Sequence, residues 1–367
     1  MIPPEHRRLL ARYRMPPEWA PHQACYLVWP HNRDTWPGKF DAIPPIYARM
    51  VAAIAQFEPV RLLVNPDDDI ESVLAATRAA ARADAVAFPD PGAIIRNVEA
   101  FHLPTNDSWT RDHGPIFVNR IAPGDGPAQI ALDWGFNSWG EKYGAFDLDD
   151  AVPARLGERY GFEVIEPGIV LEGGSIEVNG VGALMTTESC LLNPNRNPAL
   201  GRAEIEDYLK TYLGADTVIW LGEGIAGDDT DGHIDDLARF TAPDTIVTVV
   251  EDDPADANYA VLQYNLKRLR AMRDRNGRPF RIETLPMPPA VIYDHTRLPA
   301  SYANFYIANG GIVMPTFDCA QDSIAAATLA RLFPGRRAIG VPSADLVWGL
   351  GSVHCLSQQH PIPPLNS

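Results

Sequence analysis

The strongest limit on how this chain can fold is an alternation that runs from end to end. Short apolar, β-branched segments give way to amphipathic helical ones, with no low-complexity tract between them. PVRLLVN (59–65), PIFVNR (115–120), TVIWL (217–221) and TIVTVV (245–250) are expected as strands, each bounded by turn residues. Helical spacing recurs near 44–57, 69–83, 148–160, 200–213, 254–275 and 320–333. For the helix over 254–275, Asp253 is the expected N-cap, Pro254 its first turn and Gly277 its stop. Such alternation predicts an α/β fold. The 34 prolines punctuate loops and no stretch reads as a flexible linker, so residues 1–367 are expected to form one domain.

Two blocks repeat a pattern. EVNGVGALMTT (177–187) and YIANGGIVMPTF (306–317) both read as hairpins turning on Asn-Gly. Each continues to a cysteine (Cys190, Cys319), a helix, a strand and a glycine-bearing loop (222–232 and 349–354). Helix spacing of about fifty to sixty residues elsewhere hints at further copies. A ring of such units would gather loops that are remote in sequence onto one axis.

Composition narrows the partners. With 47 Asp and Glu against 31 Lys and Arg, the net charge is −16. Nucleic acid is not expected, because phosphate binding needs a basic face. A cleft walled by carboxylates instead focuses field onto cationic ligands. The N-terminus lacks the apolar stretch of a secretion signal, and no apolar run approaches the ~20 residues that span a bilayer. Four scattered cysteines without a CxxC pair form neither a disulfide framework nor a zinc knuckle, so reduced thiols in the cytoplasm are expected.

Chemistry-bearing residues cluster in SWTRDHGP (108–115), LEGGS (171–175), DDTDGHIDDLARF (228–240) and GSVHCLSQQHP (351–361), with Trp134 and Trp139 as isolated candidates. Cys355 lies among polar residues, whereas Cys25 in ACYLVW has the apolar setting of a structural thiol. His354 points away from Cys355 in an extended segment and reads as structural. His233 and Asp235, at i and i+2, share a face if the segment is extended, which suits a general acid and base beside a carboxylate. The bland reading of that stretch is a solvated acidic loop. Arg111 and Asp112 could be a structural ion pair. Glu172, leaving an apolar strand at Gly173-Gly174, is either a hydrogen-bonded structural acid or a placed catalytic one, and Trp109 and Trp134 are by default core aromatics. Calcium binding by an EF-hand fails, because the register that puts Gly232 at position six leaves Gly227 and Ala238 at the acidic ends. One histidine among carboxylates is thin for zinc. GEGIAG (222–227) matches GxGxxG, but Asp228 and Asp229 follow where a phosphate would sit.

A cysteine, a histidine and three separated carboxylates have a joint logic. Two carboxylates can grip a planar guanidinium by charge-assisted hydrogen bonds while a thiolate attacks its carbon and a histidine protonates departing ammonia. MPPEWAPHQACYLVWP (15–30), WTRDHGP, LEGGSIEVNG, DTDGHID and HCLSQQHP resemble the motifs of the agmatine deiminase family, among the guanidino-group-modifying enzymes that include arginine and peptidylarginine deiminases. The resemblance spans most of the chain. It implies a five-bladed α/β propeller of the pentein type with pseudo-fivefold repeats. It implies Cys355 as nucleophile through an amidino-thioether, His233 as general acid and base, and Glu172 as positioning acid. Asp112 and Asp235 would clamp the guanidinium, with Trp109 and Asp229 along the substrate tail. No metal or organic cofactor is implied. The substrate would be a small cationic guanidinium compound, agmatine first, and the resemblance implies a homo-oligomer.

Three positions depart from the family pattern. Asp231 stands where Asn is usual, Glu177 where His is usual, and the glycine run before the nucleophile reads Gly349-Leu350-Gly351. Competing readings are a relative acting on arginine, peptidylarginine or another guanidine, a non-catalytic propeller that only binds, and a metal-dependent hydrolase built on the carboxylates of 228–236.

Overall fold

Asn179 starts one of the expected hairpins: its side-chain carbonyl accepts from the backbone of Val181 and Ala183 at 3.0 and 2.9 Å. The turn sets Glu177–Val178 antiparallel to Ala183–Thr187, with Val178 opposite Leu184. Helices Glu188–Leu191 and Arg202–Leu213 then carry the chain back, so that Thr217–Leu221 lies parallel to Ala183–Thr187. A parallel partner needs such a crossover. The computed structural model describes residues 1–363 and is mixed α/β.

The hairpin–helix–parallel-strand unit recurs. Tyr306–Ala308 and Gly311–Thr316 pair across the Asn309-Gly310 turn, and after helix Ala320–Leu332, capped by Cys319, the strand Arg337–Pro342 runs parallel. Ile116–Arg120, Gln129–Leu132, helix Val152–Tyr160 and strand Glu163–Ile165 repeat it. Ala238–Ala242 and Thr245–Val250 form a further antiparallel pair, joined in one sheet by Arg281–Pro286 after helix Tyr259–Ala271. His22–Val28, Val60–Val64 and Val98–His102 are parallel throughout, with helices Ile43–Ala55 and Ile70–Ala83 between them.

Two compact units divide the described chain, one of residues 1–20, 112–284 and 361–363, the other of residues 21–111 and 285–360. In the first, helix Arg202–Leu213 buries Ile205, Tyr208, Leu209, Tyr212 and Leu213, the spacing of one helical face. These join Tyr13, Ile130, Trp134 and Trp220 in an apolar core. Trp134, edge-on to Tyr212, is a core aromatic as its default reading had it. No helix among the described residues is long and apolar enough to cross a membrane.

One helix boundary differs from expectation. The helix placed at 254–275 runs from Tyr259 to Ala271, with Asn258 rather than Asp253 preceding it. The Asp253 carboxylate accepts from Ala255 N at 2.9 Å and Asp256 Oδ1 from Asn258 N at 2.8 Å. These local turns compete with helical bonding. Beyond Ala271, Asp274 accepts from the backbone of Asn276 and Arg278, folding the chain back before Gly277 could act as a stop.

Glu177, which departs from the family pattern, has a structural partner. The wholly buried Arg239 guanidinium donates Nε to Glu177 at 2.9 Å and Nη2 to Glu18 at 2.7 Å, and Phe240 N donates to the second Glu177 oxygen at 3.0 Å. A buried guanidinium stripped of a partner destabilises strongly. Glu177→Ala should therefore cost about 3 kcal/mol, read as a lowered urea midpoint. A midpoint equal to wild type would remove Glu177 from this role.

Candidate active site

The acidic loop of 228–236 is ordered by its own first carboxylate. Asp228 Oδ1 accepts from Thr230 N and Oγ1 at 2.8 and 2.5 Å, and Oδ2 from His233 N at 3.1 Å. Asp231 and Gly232 both take left-handed φ values, +67° and +105°. A Cβ on Gly232 would lie 2.4 Å from Ser189 Oγ and 2.9 Å from Gly224 N, so the turn admits no side chain there. His233 is extended and Asp235 sits in the 3₁₀ turn Ile234–Asp236, so the two are not neighbours on a strand as expected.

They nevertheless meet, at Gly174. A Cβ there would fall 2.5 Å from His233 Nδ1, 2.7 Å from Asp112 Oδ1 and 3.1 Å from Asp235 Oδ2. Three polar groups thus close around Gly174 so tightly that no side chain fits between them. His233 Nδ1 is 3.7 Å from Asp112 Oδ1, and His233, Asp235 and Glu172 are fully buried. Asp112 is fixed by Gly174 N on Oδ1 and by Trp139 Nε1 on Oδ2, both at 3.0 Å. Glu172 receives Arg196 Nε at 2.7 Å. Arg196 also donates to Asp231 and, at 2.9 Å, to the Thr230 carbonyl. Glu172 precedes the 3₁₀ turn Gly173–Ser175 rather than ending a strand as expected, and it ties that turn to the histidine loop through one guanidinium.

Burial drives the ionisation of this group. It pushes the Asp112 carboxyl up to about 6; the His233 charge pulls it down, while Asp235 and Glu172 add to the rise. Burial by itself would lower the His233 imidazole, but Asp112 first, then Cys190 and Asp235, outweigh it and hold it well above the ordinary value. Near neutrality a charged imidazole thus faces an ionised Asp112. Cys190, whose thiol burial pushes up, sits at the same imidazole.

Glu172, Cys190 and His233 bring their ligand atoms within 4.8 Å of one another, the spacing a metal ion would need. The Arg196 guanidinium already occupies Glu172 and would repel a cation there. Of the loop carboxylates, Asp228 is taken up by Thr230 and His233 N, and Asp231 by Arg196, Asn195 and Lys142. This donor set fits proton chemistry better than metal ligation.

Cys355 lies in the other unit and is 5% exposed. Asn304 Nδ2 donates to its sulfur at 3.0 Å. Asn304 is itself held: its Oδ1 accepts from Ser352 Oγ at 2.8 Å and His354 N at 2.9 Å. The Cys355 carbonyl accepts from Arg111 N at 3.1 Å, and Arg111 Nη1 donates to Gln358 and Gln359 at 2.7 and 2.6 Å. Trp109 packs on Trp36 with ring centres 5.7 Å apart, and a Cβ on Gly351 would meet Trp109 at 2.5 Å and the Cys355 Cβ at 3.1 Å. Trp109 is thus a wall beside the thiol. Leu350, which interrupts the glycine run, adopts φ +69°, a left-handed conformation that costs a leucine about 1 kcal/mol.

The model of Porphyromonas-type peptidyl-arginine deiminases matches residues 14–361. The chain belongs to that family. The agmatine deiminase of Ectopseudomonas mendocina is 37% identical over 374 residues, covering 96% of each chain. The solved agmatine deiminase of Enterococcus faecalis superposes with TM-score 0.83 at 30% identity, covering 95% of this chain and 96% of that one. A cysteine-to-serine variant of the C. jejuni agmatine deiminase with substrate bound gives TM-score 0.82 at 33% identity, covering 96% and 97%.

Within this deiminase-family chain, Asp112, Glu172, His233 and Asp235 are brought together in one unit, while Trp109 and Cys355 adjoin in the other. Asp229 is half-exposed at the loop rim, where it accepts from Tyr143 and lies 3.5 Å from Lys142. Asn304, Arg196, Cys190 and Lys142 escaped the motif reading. Arg196 stands in a Pro-Asn run that reads as loop, and Asn304 sits in a hairpin lead without local signal.

Two outcomes follow from the geometry. Asp112 loses its charge below about 6, so a reaction that needs its carboxylate should slow there about tenfold per pH unit in kcat/KM, and Asp112→Asn should lower the His233 titration followed by NMR. A His233 titration indifferent to that change would break the pairing. Asn304→Ala should slow alkylation of Cys355 at neutral pH several-fold, because a donor to the thiolate is lost; an equal rate would remove Asn304 from that role.

Proposed function

We propose that the protein hydrolyses agmatine to N-carbamoylputrescine and ammonia, through a covalent intermediate on Cys355. The observation that carries this reading is the convergence of Asp112, His233 and Asp235 around Gly174, which sets two carboxylates, the partners a flat cation bonds, beside one imidazole. The kinship with proteins named agmatine deiminase supports it.

In this reading Asp112 and Asp235 accept the guanidinium N–H groups and localise its charge. The Cys355 thiolate adds to the central carbon, and the resulting tetrahedral carbon expels one nitrogen as its C–N bond breaks. His233, held protonated by Asp112, donates the proton that makes the leaving group ammonia. The neutral imidazole then takes a proton from water as the water oxygen attacks the amidino-thioether. Collapse breaks the C–S bond and returns the thiolate; the hydroxyl proton passes to the released ammonia, giving ammonium, and a ureido group is left. Glu172, through Arg196, positions the histidine loop. Trp109 and Asp229 flank the substrate tail, with Asp229 toward a distal ammonium. One catalytic domain over residues 1–367 is part of this reading, and the five sheets of three or four strands support a five-bladed propeller. A cytoplasmic setting, which keeps thiols reduced, suits a nucleophilic cysteine.

Ammonia release across agmatine, arginine, a peptidylarginine and longer or shorter guanidinoalkylamines tests the reading. Agmatine is expected to lead, and Cys355→Ala to abolish turnover with the circular dichroism spectrum unchanged. Preference for free arginine would overturn the tail assignment, and full turnover by the alanine variant would overturn the mechanism.

A further inference from the structure

The segment 137–145 is held in an unfavourable backbone. Ser138, Trp139, Glu141 and Ala145 all have φ between +52° and +61°, the left-handed region that non-glycine residues avoid. Side chains of the same segment pin it. Trp139 donates to Asp112, Asn137 Nδ2 to the Asn195 carbonyl at 2.9 Å, and Tyr143 Oη to Asp229. Lys142 is the most committed. Its Nζ donates to the Asp229 carbonyl and to Asp231 Oδ1 at 2.9 Å, and stands 3.5 Å from Asp229 Oδ1.

An ammonium group therefore already lies between the two rim carboxylates. Asp231 is shared with Arg196, and Arg196 with Glu172. Within this network two cations face three carboxylates, leaving one negative charge. Because Asp229, Asp231 and Lys142 are partly exposed, with side-chain exposures of 37%, 22% and 25%, an incoming cation can compete for the same oxygens. Removing Lys142 deepens the negative potential at the rim; removing the Asp231 charge leaves Lys142 with Asp229 as its remaining carboxylate and cancels the surplus.

We propose that Lys142 is a specificity-determining residue, an internal counterion whose competition with the substrate's distal ammonium for Asp229, balanced by Asp231, sets how strongly a cationic tail is preferred. This rests on the deimination reading above. It concerns the tail alone, since the guanidinium end is gripped by other acids.

The test compares agmatine with pentylguanidine, which replaces the distal ammonium by a methyl group at equal chain length. Lys142→Met is expected to raise the agmatine-to-pentylguanidine ratio of kcat/KM about threefold or more, and Asp231→Asn to lower it by a similar factor. The double variant should return near the wild-type ratio. Purely structural damage would lower both substrates in parallel and leave the ratio unchanged, which overturns the proposal, as does a shift of either single variant in the opposite direction. Calorimetric binding of both compounds to Cys355→Ala separates the two levels of inference. If wild type turns over neither compound and Cys355→Ala binds neither, the deimination reading falls and Lys142's role with it. Turnover with an unmoved ratio removes Lys142 alone.

Discussion

A carboxylate and an imidazole share a dry interior, and neither would hold its charge without the other. His233 is fully buried, which disfavours the imidazolium, and Asp112, itself pushed up by burial, is the group that first offsets this. The surrounding architecture serves that pair. Gly174 removes a side chain that would drive the two apart and donates its N–H to Asp112. Trp139 fixes the second Asp112 oxygen. Asp228 holds the backbone of His233 in place. A loss at any of these points acts on the proton held at one ring.

The acidity of the chain is managed differently inside and outside. Buried acids meet cations or neutral donors: Glu172 meets Arg196, Glu177 and Glu18 meet Arg239, and Glu58 accepts from Tyr306 at 2.6 Å and lies 3.2 Å from His22. Pairing of this kind contributes little net stability over an apolar core, but it fixes which segments face one another. Arg196 joins the 3₁₀ turn after Leu171 to the loop of 228–236, and Arg239 joins the residues before the first long strand to the hairpin of 177–187. The net charge of −16 is thus a property of surfaces and rims more than of the interior.

Much of this was legible in the residues. Strands such as Thr217–Leu221 and Thr245–Val250 fell where β-branched runs ended at turn residues, and both Asn-Gly hairpins formed. Local signals failed where local hydrogen bonds competed. The turns at Asp253 and Asp256 delay a helix that Pro254 and the apolar spacing would have begun five residues sooner. Site acids were visible because each sits in a motif bounded by glycine or proline. Their supports were not: Arg196 and Asn304 act across long sequence separations, 24 residues to Glu172 and 51 to Cys355, and nothing in the flanking residues marks such distant partners. The i, i+2 argument expected His233 and Asp235 on one face of an extended segment, whereas a 3₁₀ turn and a glycine opposite bring them together.

The cap of helix Ala320–Leu332 bears on how this protein is handled at the bench. Cys25, Cys190 and Cys355 are buried, whereas Cys319 is only half-buried, beside the Tyr302 hydroxyl at 3.2 Å. A chromogenic disulfide reagent offered to the native enzyme will reach that cap most readily. Early colour then counts a helix terminus rather than Cys355, and inactivation curves built on total thiol loss will lag behind the signal unless residue 319 is first made inert.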